Sequence, residues 1–182
     1  MDLYEAIEKR RTIRGFTRGT SEEIVRKIIT AGTHSISAGN NQPWEFIIVD
    51  DPQLIAQIAE LKYQLNLVYS KSVAKQQQNA YKNCNVVAAC YKDGGGYLWS
   101  MWACIQNMAL VATAEGLGII PSTLWEENQV VVEKLLGLPE NYHLATMVLI
   151  GVQKGYPRKT TPQIQRRPEF SWLHRNRFGT PG

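Results

Sequence analysis

The chain has 182 residues, 44% hydrophobic and 20% charged, with a formal net charge of +4. It is too apolar for a disordered chain and long enough for about one domain with its own core, so residues 1–182 are expected to form a single domain. No apolar run reaches the roughly 18 residues of a membrane span, and the opening MDLYEAIEKRR lacks a signal-peptide core; a cytoplasmic protein with no membrane contact is expected.

Residues 2–11 read as a helix, with Asp2 as cap, Glu5 closing a capping box, and Leu3, Ala6 and Ile7 on one face. A second helix starts after Thr20, with Glu23 three residues on; it buries Ile24, Ile28 and Ile29 and ends at Gly32. Residues 45–50 (EFIIVD) read as a strand. Asp50-Asp51-Pro52 then opens a third helix along Leu54, Ile55, Ile58 and Leu61. Residues 62–84 have weak periodicity and read as partly helical and mobile. The apolar run 86–91 reads as a buried strand, and 99–115, apolar nearly all round, as a central buried helix. Gly116-Leu117-Gly118 stops that helix before a strand near 119–125; a short helix at 129–136 and a strand at 144–152 complete an α+β or α/β layered domain. From Gly155 onward the chain is extended, basic and Pro-punctuated. It has no core of its own and should dock on something, such as another subunit.

Both ends are basic and the body is mildly acidic. Lys9, Arg10, Arg11, Arg14 and Arg18 face Asp2, Glu5 and Glu8 at the head, and seven cations face Glu169 in the tail from Lys154. A nucleic-acid surface is one reading, although no long basic stripe with interleaved aromatics is present. Two ends converging on one compact anion such as a phosphate is another, and two solvated ends a third.

Four segments carry possible chemistry. Arg10-Arg11-Thr12-Ile13-Arg14 sets guanidinium groups around a hydroxyl, which suits a phosphate monoester, though arginines at a helix C-terminus are also favoured by the macrodipole. In the stretch from Ser35 to Trp44, Asn40 and Gln42 offer carboxamides two residues apart that can read the edge of a flat heterocycle; a plain Asx-turn loop is the alternative. The Gly116–Gly118 turn ends a helix instead of opening one, so it is no dinucleotide fingerprint; it leaves the Ser122–Leu124 backbone near whatever a pocket holds. Arg166-Arg167 could supply the second half of an anion clamp. The cysteines (Cys84, Cys90, Cys104) and histidines (His34, His143, His174) form no metal-binding spacing, and the thiols read as reduced and mostly buried.

Taken in order, RRTIRGF (10–16), SAGNNQPW (37–44), QNMALVATAEGLG (106–118) and RRPEFSWLHRNRFG (166–179) resemble the FMN-dependent nitroreductase family. The resemblance implies an α+β, three-layer homodimer with a central, mostly antiparallel sheet, a tail (155–182) crossing to the partner, and an FMN in each of two interface sites. It assigns Arg10, Arg11 and Thr12 to the N-terminal flavin element, and Arg166, with Arg167, to the phosphate. Arg14 falls by the flavin's pyrimidine edge, where a cation stabilises the reduced ring; Asn40 and Gln42, with Ser37, line the flavin. A backbone N–H among Ser122, Thr123 and Leu124 contacts N5. Ile36 stands where the family has proline, and Met101-Trp102 where it often has an acid.

The function implied is hydride transfer from NAD(P)H to FMN and on to a small electron-poor acceptor, a nitroaromatic or quinone, in ping-pong order. Little side-chain acid–base chemistry is required, no catalytic side chain is assigned beyond Arg14 as an electrostatic stabiliser, and no metal is expected. The alternatives are a specialised member of the fold (dehalogenation, flavin fragmentation or heterocycle dehydrogenation), a non-catalytic flavin-binding protein, and a small nucleic-acid-binding protein; the resemblance implies no nucleic-acid partner.

Overall fold

The computed structural model describes residues 1–155 and 166–179. The chain runs α1 (Leu3–Lys9), β1 (Phe16–Arg18), α2 (Glu22–Thr33), a 3-10 turn (Ala38–Asn40), β2 (Trp44–Val49), α3 (Pro52–Asn66) and α4 (Lys71–Asn79). It continues with β3 (Asn85–Lys92), α5 (Tyr97–Ala114), β4 (Gly118–Ser122), α6 (Glu126–Leu135), β5 (Tyr142–Gln153) and a second 3-10 turn (Glu169–Ser171).

Strand β5 organises the sheet. It pairs β3 along one side; along the other it pairs β4 and then, at its far end, β1, every pairing being antiparallel. Strand β2 pairs the outer side of β3. The alternation expected of strands buried on both faces is clear in β3: Val86, Ala88 and Cys90 enter one core, Val87 and Ala89 the other. The first core takes Ile58 and Ala59 from α3, Tyr81 and Val132; the second takes Val25 and Ile28 from α2 and the buried side of α5. The result is the three-layer α+β arrangement expected, with helices on both faces of a sheet that is antiparallel throughout.

A β-bulge interrupts β5. Ala89 faces Thr146 and Cys90 faces Leu144, so Ala145 is an extra residue. The insertion switches parity along the strand, sending Leu144 and Met147 to the same core although they are three apart.

Several expectations need correction. Helix α1 stops at Lys9, and of its expected apolar face only Ala6 is buried; Leu3 and Ile7 are exposed. The cap of α2 is Ser21, whose side chain accepts from the Ile24 N–H, in place of Thr20; it is Val25, beside Ile28, that is fully buried. Gly32 lies inside α2 and does not end it. A Cβ there would stand 2.6 Å from Met108 Cγ and 2.8 Å from Cys104 Sγ, so the missing side chain is what lets α2 close on α5. The partly helical reading of residues 62–84 holds: they contain the last turn of α3 and all of α4. Asp51 caps α3, and Glu60 ties the two helices by accepting from Gln78 at 2.7 Å, a polar pairing that apolar periodicity does not reveal. Strand β4 ends at Ser122, short of 125, and α6 begins at Glu126, earlier than 129. Strand β1 is too short to show an apolar alternation.

Gly32→Ala is expected to destabilise the fold by about 1–3 kcal/mol through overpacking. At Gly95 an added Cβ would meet nothing within 4 Å. Gly95→Ala should therefore stay within about 0.5 kcal/mol of the parent; urea unfolding of both variants checks the pair.

Candidate functional site

After α1 the chain runs along the free edge of β4. Thr12 bridges Ile119 in parallel, and the Ile13 N–H donates to the Ile119 carbonyl at 3.2 Å. This approach requires Gly118, because a Cβ there would meet Ile13 at 2.8–3.0 Å. The second glycine of the GLG turn therefore seats the arginine segment beside β4.

The segment's arginines differ in use. The Arg11 guanidinium folds back onto the end of α1, donating to the Glu8 carbonyl and, at 2.9 Å, to the Arg10 carbonyl. It satisfies orphan carbonyls of the helix terminus, as the macrodipole favours. Thr12 and Arg14 are exposed and Arg10 is half-buried. Among the described residues no carboxylate pairs with Arg10, Arg11 or Arg14.

At the far end of β4, the side chains of Ser122, Thr123 and Leu124 are all engaged internally. Ser122 Oγ accepts from the Tyr81 hydroxyl at 3.0 Å, Thr123 Oγ1 donates to Thr146 Oγ1 at 3.2 Å, and Leu124 is packed into the first core. The bulge at Ala145 sits next to Thr146 and so positions the threonine pair. What remains available is backbone: among the described residues neither the Thr123 N–H nor the Leu124 N–H donates a hydrogen bond.

The residue that sequence reasoning missed is Lys62. It is buried near the end of α3, and its ammonium donates to the Thr123 carbonyl. Burial, and then the neighbouring Arg14 charge, push its pKa down to about 8. Lys62 thus sits at the end of β4 with the Arg14 charge near enough to act on it, and neither has a carboxylate partner among the described residues. A signal was present: Lys62 follows Ile58 by four residues and Ile55 by seven, so it lies on the apolar stripe of α3.

The amide loop opens from the opposite edge of the sheet, before β2. Asn40 and Gln42 adopt left-handed backbone (φ 54° and 45°), and Ser37 Oγ accepts from the Gln42 N–H at 3.2 Å. Both are exposed, while the buried Ser35 hydroxyl lacks a partner among the described residues. Left-handed glutamine before a proline is strained, and such conformations cluster at ligand sites. The chain therefore lays the Arg10–Arg14 segment along β4, with Thr12 beside Ile119 and Ser122–Leu124 further along, and leaves Ser37, Asn40 and Gln42 at the other edge of the sheet.

Arg166 and Arg167 are exposed and in no ion pair among the described residues; the Arg167 carbonyl accepts from Trp172 Nε1 at 3.0 Å, within the tail's own turn. The expected crossing of 155–182 falls partly on 156–165 and 180–182, outside the described residues. Burial pushes the thiols of Cys84, Cys90 and Cys104 up to about 12, so none is a thiolate nucleophile near neutral pH. Among the described residues no His, Cys, Asp and Glu cluster could hold a metal ion, and no helix is long and apolar enough to cross a membrane.

The fold and this basic, backbone-lined site define a class. The chain belongs to the nitroreductase family, whose model matches residues 7–152. It is 30% identical over 161 residues to an Archaeoglobus fulgidus protein provisionally named NADH dehydrogenase/NAD(P)H nitroreductase, covering 84% of this chain and 86% of that one. Its fold matches an FMN-dependent nitroreductase from Clostridium difficile R20291 with a TM-score of 0.77 at 17% identity, covering 97% of this chain and 100% of that one. It also matches oxidised iodotyrosine deiodinase bound to FMN and 3-iodo-L-tyrosine, with a TM-score of 0.75 at 23% identity over 86% of this chain and 95% of that one.

Lys62 generates a pH prediction. Its folded pKa, about 8, lies below the unfolded value, so between about pH 8 and 10 the unfolded chain binds more protons and stability rises with pH. The destabilisation is complete below the folded pKa. Lys62→Met is expected to flatten that rise, as read by urea unfolding between pH 7 and 10.

Proposed function

We propose that this chain is an FMN-dependent oxidoreductase that takes reducing equivalents from NAD(P)H and delivers them to a small electron-poor acceptor, a nitroaromatic or quinone, in ping-pong order. The observation that carries the reading is the buried Lys62 ammonium on the Thr123 carbonyl, unmatched by carboxylate among the described residues and within reach of the Arg14 charge, next to the undonated N–H groups of Thr123 and Leu124. A flat, anionic cofactor fits that donor set. Bound FMN supplies hydride chemistry at N5 and gathers negative charge toward N1 and C2=O when reduced.

The chain's own residues supply position and charge. Arg10 and Thr12, with Arg166 and Arg167, hold the phosphate by charge-assisted hydrogen bonds. Arg14 and Lys62 would supply positive charge to the bound ring, and the Thr123 or Leu124 N–H would be its backbone donor. Arg11, occupied at the end of α1, orients the segment and contributes long-range charge. Ser37, Asn40 and Gln42 line the flavin from a second copy, because within one subunit their loop opens from the wrong edge of the sheet. Residues 1–182 act as one domain, with 155–182 as the arm that crosses to the partner.

The exposed apolar surface supports the homodimer. Helix α1 packs on α5, yet Leu3, Tyr4, Ile7 and Trp99 are 60%, 80%, 48% and 73% exposed. Trp99→Glu with Tyr4→Glu is expected to give monomers that lose FMN; sedimentation and flavin content are the measurements.

Dehalogenation of a haloaromatic is the second reading, favoured by the likeness to iodotyrosine deiodinase. The deciding experiment is the visible spectrum of protein purified with added FMN, followed by anaerobic bleaching with NADH or NADPH and reoxidation by a nitroaromatic, a quinone or an iodotyrosine. Reoxidation by iodotyrosine alone selects the second reading, and a protein that retains no flavin refutes both. Arg10→Ala is expected to weaken FMN affinity roughly 10- to 150-fold, the equivalent of one charge-assisted contact of about 1.5–3 kcal/mol.

A further inference from the structure

Lys62 is not among the residues that the family resemblance carries over, and its environment makes no sense as packing alone. Its place on the apolar stripe of α3, in line with Ile55 and Ile58, would suit leucine or methionine. The side chain is instead an ammonium in a residue only 7% exposed, with the Arg14 guanidinium as its charged neighbour and no carboxylate partner among the described residues. Burying an ammonium beside a like charge disfavours the fold, and replacing it by an apolar group of similar volume would relieve that. Such an arrangement gains when negative charge is supplied next to it.

Its hydrogen bond identifies the point of action. The ammonium donates to the Thr123 carbonyl, and the Asn66 side chain donates to the Lys62 carbonyl at 2.8 Å, which ties down the same turn of α3. The Thr123 carbonyl shares its peptide with the Leu124 N–H, which in a trans peptide points the other way. That N–H has no acceptor among the described residues, although Leu124 is 2% exposed. A cation on the carbonyl end polarises the peptide and strengthens the donor at its other end.

We infer that Lys62 is a positioning residue of the reaction centre: through the Thr123 carbonyl it fixes and polarises the Thr123–Leu124 peptide, and with Arg14 it sets a positive potential that favours the reduced over the oxidised flavin. The inference rests on the FMN reading above. Its low proton affinity, caused first by burial and then by Arg14, agrees with an ammonium held dehydrated in place. Lys62 needs no contact with the flavin to act in this way.

The test compares Lys62→Met, Lys62→Gln and Lys62→Arg with the parent protein at pH 7, each loaded with FMN. The affinities for oxidised and for dithionite-reduced FMN are measured, together with the midpoint potential of the bound flavin. The expected result is that Met and Gln lower the preference for reduced FMN at least fivefold, about 20 mV at 29.6 mV per tenfold for two electrons, while Arg stays within twofold of the parent. Gln keeps a donor for the Thr123 carbonyl without the charge, so it separates polarisation from tethering, and it decides the matter should Met not fold. A Gln variant that changes the preference less than fivefold overturns the inference. Failure of the parent itself to bind FMN overturns the underlying reading instead.

Discussion

Everything in this molecule is registered on β5. Residues 144–151 of that strand are buried without interruption, and it bonds to β3, β4 and β1 together. A strand in that position has no solvent face, so both sides must be apolar and both must be covered by helices. The bulge at Ala145 is the one break in its ladder with β3, and it falls beside Thr146, whose hydroxyl accepts from Thr123. The central strand thereby fixes both the core and the end of β4, where the candidate site begins.

Close backbone approach is the second constraint. Gly32 lets α2 settle on α5, and Gly118 lets the arginine segment settle on β4. The two contacts lie on different elements but have the same effect: a side chain is removed so that a neighbour can come nearer than van der Waals packing would otherwise allow. The second of them converts a basic stretch, which alone could be a solvated helix end, into the wall of a site.

Strands β2 to β5 and the buried helix α5 were legible because each carries a mostly apolar run bounded by turn residues. Helix α4 was legible only as a partly helical stretch without bounds: its sequence KSVAKQQQN buries only Ala74, and Gln78 ties it to α3 through Glu60. Leu3 and Ile7 satisfy a helical apolar face yet stay exposed, because periodicity reports which side chains favour burial and not whether the described chain covers them. Arg14 could be singled out from its neighbours in the sequence. Lys62 stands out only as a charge on the apolar stripe of α3; its partner Thr123 lies 61 positions away, and no local pattern encodes that meeting.

The site's electrostatics follow from folding instead of from ligand arrival. In water an ammonium and a guanidinium are neutralised by solvent dipoles that must reorient before a new charge is stabilised. Here Lys62 has already exchanged most of that solvent for the Thr123 carbonyl, and α3 and β4 hold it there. The unfavourable part of the arrangement is carried by the folded state, visible in the lowered pKa of the lysine. Charge that develops beside it later then meets dipoles already oriented, which is the condition under which electrostatic stabilisation of a reaction is largest. On the proposed flavin reading, hydride chemistry belongs to the bound ring and asks little of the side chains, which suits the end of β4: serine, threonine and leucine side chains turned inward, Thr123 and Leu124 N–H groups undonated among the described residues, and the Lys62 ammonium on the Thr123 carbonyl.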